Sequence, residues 1–156
     1  MDNEDGQAGD GLLIMSFVLG QAHFGVDAQL VQEVVKVGEI TCVHHAHPYV
    51  AGIRNLRGRI VTVVDLAVLL GLGCVMTGPD TRLLLMECEG EPVGFLVDSA
   101  TEAVLVKEGH LAPPPANLVP EIRRNLRGVW RDGERLIAIL DPRSLLQEQD
   151  ELTVTS

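Results

Sequence analysis

Residues 52–70 read GIRNLRGRIVTVVDLAVLL, and residues 128–146 read GVWRDGERLIAILDPRSLL. Laid one over the other, Gly52 matches Gly128, Arg59 matches Arg135, Asp65 matches Asp141, and Leu69-Leu70 matches Leu145-Leu146. Between these anchors the apolar run Ile60 to Val64 lies over Leu136 to Leu140. Each copy predicts a turn, a buried strand, and an aspartate that starts a short helix closed by a leucine pair. A unit used twice creates an interface between its copies, and that interface is the first place to look for function.

The 156 residues suffice for one domain or for two small subdomains sharing a core. The chain is 46% hydrophobic but only 3% aromatic, so the core must be built from Val, Leu, Ile and Ala, a composition that favours β-structure. The formal net charge of -10 is concentrated at the ends. Asp2, Glu4, Asp5 and Asp10 open the chain, and Glu148, Asp150 and Glu151 close it, with no Lys or Arg beside them. We therefore expect acidic disordered tails over 1–10 and 148–156 around a single domain over 11–147. Within that domain, subdomain 1 is expected at about 11–72 and subdomain 2 at about 81–146, with exchange of strands between them as an open alternative. Nucleic acid is a poor partner for a body without a concentrated basic face. Cys42, Cys74 and Cys88 are odd in number and widely spaced, and the acidic start is the opposite of a signal peptide's, so reduced thiols in the cytoplasm are expected. The most membrane-like stretch, Ile60 to Met76, is shorter than the ~20 residues a bilayer needs and contains Asp65, so no direct membrane insertion is expected.

Along the chain, Leu12 to Leu19 and Ala22 to Val26 read as strands joined by Gly20-Gln21. Asp27 can cap a short helix on which Leu30, Val31, Val34 and Val35 recur at helical spacing. Val37 to Val43 returns to extended structure. Ile53 to Leu56 and Ile60 to Val64 flank a tight Arg57-Gly58 turn, and Gly71 stops a short helix from Leu66 to Leu70. The second half restarts in the same way, with Leu83 to Glu89 and Val93 to Val97 around Gly90-Glu91. HFGVDA (His23 to Ala28) is echoed in GFLVDSA (Gly94 to Ala100), and Gln32 to Val35 in Thr101 to Val104. Asp132-Gly133 predicts a type I′ turn, and Asp141-Pro142 a capped helix start. Many short strands in two similar halves favour two small barrels packed together over one open sheet.

Catalytic chemistry finds little purchase. None of Ser16, Ser99, Ser144 and Ser156 lies in a G-x-S-x-G elbow, and no glycine-rich phosphate loop runs from a strand into a helix. Capping accounts for Asp65 and Asp141 as well as catalysis would. Cys42, His44, His45 and His47 form the most metal-like cluster, and a small metal-binding barrel is the alternative they raise. Zinc, however, needs four spaced ligands, and a polar loop before Pro48 is the plainer reading. Arg54, Arg57 and Arg59 sit on one hairpin and Arg123, Arg124, Arg127 and Arg131 near the other. Solvated arginine is the default there, and a bidentate grip on a carboxylate is the functional reading.

These residues resemble the CheW family, the coupling proteins of bacterial chemotaxis arrays. The likeness runs from about Leu12 to Leu146 and rests on GVDAQLVQEVV (Gly25 to Val35), HPYVAGIRNLRGRIVTVVDL (His47 to Leu66), VGFLVDSATEAV (Val93 to Val104) and LIAILDPRSLL (Leu136 to Leu146). The resemblance implies a mainly β fold of two pseudo-duplicated, five-stranded SH3-like barrels with short helices around an apolar groove. It implies an adaptor that is no enzyme and uses no cofactor and no metal. Its partners would be the regulatory domain of a CheA-type histidine kinase and the cytoplasmic tip of methyl-accepting chemoreceptors. By motif position, partner contact falls on Val31, Glu33, Gly52, the Asn55-Leu56-Arg57-Gly58 turn, and Asp98, Ala100 and Ala103. The location implied is cytoplasmic, at membrane-anchored receptor arrays; the same role in a surface-motility or developmental pathway is the alternative. The chain departs from the family pattern at Thr62, where proline is common, at His44-His45, and at Ala100 and Ala103, where Val is frequent. Glu33 and Arg57, opposite in charge and both embedded in the motif, are expected to pair and fix the groove's edge.

Overall fold

The computed structural model describes residues 11–118 and 120–147; both expected tails lie outside them. Eleven strands are described: β1 (Gly11–Leu19), β2 (Ala22–Asp27), β3 (Glu33–Lys36), β4 (Val50–Leu56), β5 (Arg59–Asp65), β6 (Arg82–Cys88), β7 (Glu91–Val97), β8 (Ser99–Lys107), β9 (Leu111–Ala112), β10 (Leu126–Asp132) and β11 (Arg135–Leu140). Three short helices accompany them, α1 (Leu66–Leu69), α2 (Pro120–Arg124) and α3 over 142–147. The strands form two sheets, ordered β8-β1-β2-β11-β10-β9 and β3-β6-β7-β5-β4. Position by position the orders correspond: β8 to β3, β1 to β6, β2 to β7, β11 to β5 and β10 to β4. In place of β9, the smaller sheet has a single bridge from Thr41 to Ile53. The first sheet thus carries one strand more than the five that the resemblance implies.

Each sheet draws on both halves of the chain. β1 and β2 leave the first half to join β8 through β11, and β6 and β7 leave the second half to join β3 through β5. The centre of each sheet is a parallel pair made across this exchange, β2 with β11 and β7 with β5. Those pairs give the register of the internal repeat. Ile139 faces Gly25 and Val63 faces Gly94, so Gly25 and Gly94 are equivalent, 69 positions apart. Val34 faces Leu84 as Ala103 faces Met15, which puts the Gln32–Val35 and Thr101–Val104 echo in the same register. The echo between HFGVDA and GFLVDSA is two residues out of it: the shared Phe-x-Val-Asp letters do not occupy equivalent places.

The residue choices explain the elements. The larger core holds Phe17, Phe24 and Val26 of one sheet together with Val63, Leu84 and Phe95 of the other, so it is the seam between sheets. A smaller core, Ile14, Val106, Ile137 and Ile139, lies within the first sheet. Asp65 is buried and caps α1, its Oδ1 accepting from the N–H groups of Ala67 (3.0 Å) and Val68 (3.2 Å). The helix ends as Gly71 and Leu72 donate back to Val68 (3.0 Å) and Ala67 (2.8 Å), with Gly71 at φ 74.

Two local readings are corrected. The helical spacing at Leu30–Val35 does not yield a helix. Asp27 does accept from Gln29 N–H (3.0 Å), but it caps only a 3-10 turn, Ala28–Leu30. Glu33–Lys36 then pairs with β6 as a strand, where β-branched Val34 and Val35 fit a pleated surface better than a helix. At the second hairpin Asp132 pairs with Arg135, so the loop is Gly133-Glu134. Only Gly133 has positive φ (65), which is the type II′ pattern and not I′.

Candidate partner-binding site

The turn between β4 and β5 is built to hold Arg57 in one direction. Arg57 and Gly58 have φ of 53 and 85, as a two-residue type I′ turn requires, and Asn55 Oδ1 accepts from Gly58 N–H at 2.9 Å. Arg57 then donates from Nη1 to Glu33 Oε1 (3.0 Å) and from Nη2 to Glu33 Oε2 (2.5 Å), the fork geometry expected of a bidentate pair. The expected Glu33–Arg57 pair therefore forms. The hydrogen bond from Arg57 lowers the Glu33 carboxyl below its ordinary value, and the same bond raises Arg57. With the Arg57 and Glu33 side chains 66% and 40% exposed, the pair's contribution is orientation more than stability.

Arg54 does related work that its position in the sequence does not announce. Its Nη1 donates to the backbone oxygen of Lys36 at 2.8 Å, and its guanidinium passes over Gly38 (φ 69), where a Cβ would sit 2.8 Å from Cζ. β3 and β4 are the two ends of the five-stranded sheet. Arg54 and Arg57 both reach from the β4 side to β3, so two arginines fasten the sheet's ends together and close it on itself.

Gly52 belongs to the same closure. It follows a bulge in β4 and has φ 152, and a Cβ there would stand 2.3 Å from the Thr41 oxygen. That oxygen accepts from Ile53 N–H (2.9 Å), while Thr41 N–H donates to the Ile53 oxygen (2.8 Å). Glycine is required because another backbone lies against this point.

Val31, at the end of the 3-10 turn, and Leu56, at the end of β4, are half-buried and packed against the larger core. Val31 stands two residues before Glu33 and Leu56 directly before Arg57, so the ion pair edges two half-buried apolar side chains. Asp98, Ala100 and Ala103 belong to the other sheet, beside or on β8. Asp98 Oδ2 accepts from Gly20 N–H at 2.5 Å and Asp98 N–H donates to Val18 (3.0 Å), so this side chain anchors the β1–β2 turn. Ala100 is half-buried and Ala103 exposed. No hydrogen bond or ion pair among the described residues joins this trio to Glu33–Arg57. At the bulge in β8, where two residues oppose Ser16, the hydroxyls of Ser16 and Thr101 pair, a feature that neither residue's spacing signals.

Cys42, His44 and His45 are exposed, and His47 stacks on Tyr49 with ring centroids 5.0 Å apart. Among the described residues no three His, Cys, Asp or Glu are placed to hold a metal ion. Nor is any described helix long and apolar enough to cross a membrane.

Comparison with known proteins agrees with this architecture. Residues 13–150 match the model of the CheW-like domain. The chain is 29% identical over 138 residues to the chemotaxis protein CheW of Helicobacter pylori, covering 88% of this chain and 82% of that one. It is 27% identical over 99 residues to Protein FrzA of Myxococcus xanthus, covering 64% and 62%. The crystal structure of the scaffolding protein TtCheW from Thermoanaerobacter tengcongensis superimposes with a TM-score of 0.77 at 30% identity, covering 86% of each chain. The exchanged sheets, the closed Gly52–Asp65 hairpin and these likenesses lead to one assignment: the chain belongs to the CheW-like family, and it is a scaffold of the chemotaxis type and not an enzyme.

Proposed function

We propose that this protein is the coupling adaptor of a chemosensory array, holding the regulatory domain of a CheA-type histidine kinase beside the cytoplasmic tips of chemoreceptors. The observation that carries the reading is the Val31–Leu56 surface with its Glu33–Arg57 edge. A receptor tip is helical, and a helix laid on an apolar surface gains affinity from side chains spaced along one face. An edge held in a bidentate grip presents one shape to that helix at low entropic cost. Val31, Glu33, Gly52, Asn55, Leu56, Arg57 and Gly58 are proposed to form this contact from one sheet. Asp98, Ala100 and Ala103 contribute from the other, Asp98 through the turn it anchors. The alanines leave a shallow wall, suited to a bulky receptor side chain. Individual contacts can be weak because an array multiplies them through effective concentration. The protein acts in the cytoplasm and reaches the membrane through its receptors.

Co-purification with a CheA-type kinase, followed by a kinase assay with receptor present, tests the proposal. Receptor-dependent stimulation is expected with the native chain and lost with Arg57→Glu. Combining Arg57→Glu with Glu33→Arg is expected to restore part of it by rebuilding the pair in reverse. Absence of kinase binding at micromolar concentration overturns the assignment. The likeness to FrzA supports a second reading, the same adaptor role in a motility or developmental pathway. Exchange of cognate kinases in the same assay distinguishes the two.

A further inference from the structure

A cleft of about 680 Å³ is lined by β4, β5, β7 and the last helix, α3, at the margin of the larger core. It is separate from the Glu33–Arg57 edge and shares no residue with it. Tyr49, Val50, Val64, Val93 and Leu146 supply an apolar floor, and the rim is acidic. Glu87, Glu89 and Glu91 stand along the β6–β7 turn, and Asp141 and Arg143 stand on the α3 side. Arg143 does not offset the glutamates, because Asp141 already engages its Nε (3.2 Å) and Nη2 (3.1 Å). Among the described residues the three glutamates have no ion-pair partner.

The internal repeat carries no charge at the three equivalent places. In the 69-residue register Glu87, Glu89 and Glu91 correspond to Val18, Gly20 and Ala22 of the β1–β2 hairpin, whose two-residue loop has positive φ at Gly20 alone where Glu89 and Gly90 both have it. The equivalent cleft, about 660 Å³, is lined by Ala22, Phe24, Leu126 and Ala138 in the places of Glu91, Val93, Val50 and Thr62. The equivalent cleft has Glu134 and Arg135 of opposite charge at its edge, whereas the α3 cleft carries three glutamates on one hairpin. Like charges on one short hairpin repel, and a cationic occupant would relieve that repulsion.

We infer that the α3 cleft docks a basic amphipathic segment of a partner protein, with an apolar side chain on the floor and Lys or Arg against Glu87, Glu89 and Glu91. The inference does not depend on the receptor and kinase reading. The probe is a synthetic peptide of repeating Leu and Lys, with a Leu and Glu peptide of the same pattern as control, titrated into the isolated protein by NMR and fluorescence anisotropy. The Lys peptide is expected to shift Val50, Thr62, Val93 and Leu146. Its affinity should fall at least tenfold in the Glu87→Lys/Glu91→Lys double variant, and should be unchanged in Glu134→Lys beside the equivalent cleft. Shifts spread over the surface, equal affinity for the double variant, equal binding of the Glu peptide or no binding of the Lys peptide each overturn the inference. Because no kinase or receptor is present, these outcomes stand whether or not the coupling assay succeeds.

Discussion

The two hairpin–helix units, 50–70 and 126–147, start from matching residues and are held in different ways. In the first, a neighbouring backbone presses on Gly52 to 2.3 Å from where a Cβ would sit; in the second, Ala112 approaches the same point at Gly128 only to 3.0 Å. In the first, Asp65 spends both oxygens on backbone, adding Val75 N–H (3.0 Å) to its cap; in the second, Asp141 caps through Arg143 N–H (3.0 Å) and turns to the Arg143 side chain. The first turn throws Arg57 across to another strand. The second keeps Arg135 on its own hairpin with Asp132 (2.6 Å). The same repeat has become a clamp at one end of the molecule and a self-contained hairpin at the other.

That contrast can be broken by substitution. The widest gap is expected at the glycines. Gly52→Ala combines a positive φ with a backbone clash and should cost about 4 kcal/mol, whereas Gly128→Ala, with neither strain nor a severe clash, should cost about 1 kcal/mol, both read by chemical denaturation. Equal losses would show that the bridge to Thr41 is not what distinguishes the units. Asp65→Ala leaves three N–H groups short of a partner and should cost about 3 kcal/mol, against about 1 kcal/mol for Asp141→Ala. The smallest effect sharpens the turn comparison. Glu33, with its carboxyl lowered by Arg57, contributes stability above the ordinary glutamate value of 4.5 and loses it as pH falls through the lowered value. NMR titration should place the Glu33 midpoint below 4.5, and Arg57→Ala should return it there. Removing Arg135 should leave Glu33 unmoved.

Much of this could be read from residue order, because the repeat is spelled by residues with local jobs. Gly52 and Gly128, Asp65 and Asp141, and the leucine pairs mark a bulge, a cap and a buried helix face, each decided within a few positions. Glu33 and Arg57 could be paired because charge and a fixed turn restrict what they reach. Other features were not legible, for one physical reason: pairing between distant strands leaves no trace in spacing. Val31 to Val35 fits a helical period over so few residues that only β6, fifty positions away, makes it a strand. The Phe-x-Val-Asp letters mislead by two places because ladder register, not residue identity, sets equivalence. Asp98 gave no sign of its hold on Gly20, nor Arg54 of its reach to Lys36. The α3 cleft emerges only when the last helix is laid against a sheet whose strands come mostly from elsewhere.

The crossing of β1-β2 and β6-β7 between sheets bears on how the protein is made. As the chain leaves the ribosome, its opening hairpin has no flanking strand until β8 and β11 follow, and β11 comes almost last. The five-stranded sheet, made of β3 to β7, can close once Val97 has emerged, whereas the six-stranded sheet waits for β11, so its long-range pairing should be the slower step. Once formed, the product is knit together well enough that a protease nick in the 71–80 connection should leave two fragments that migrate as one particle.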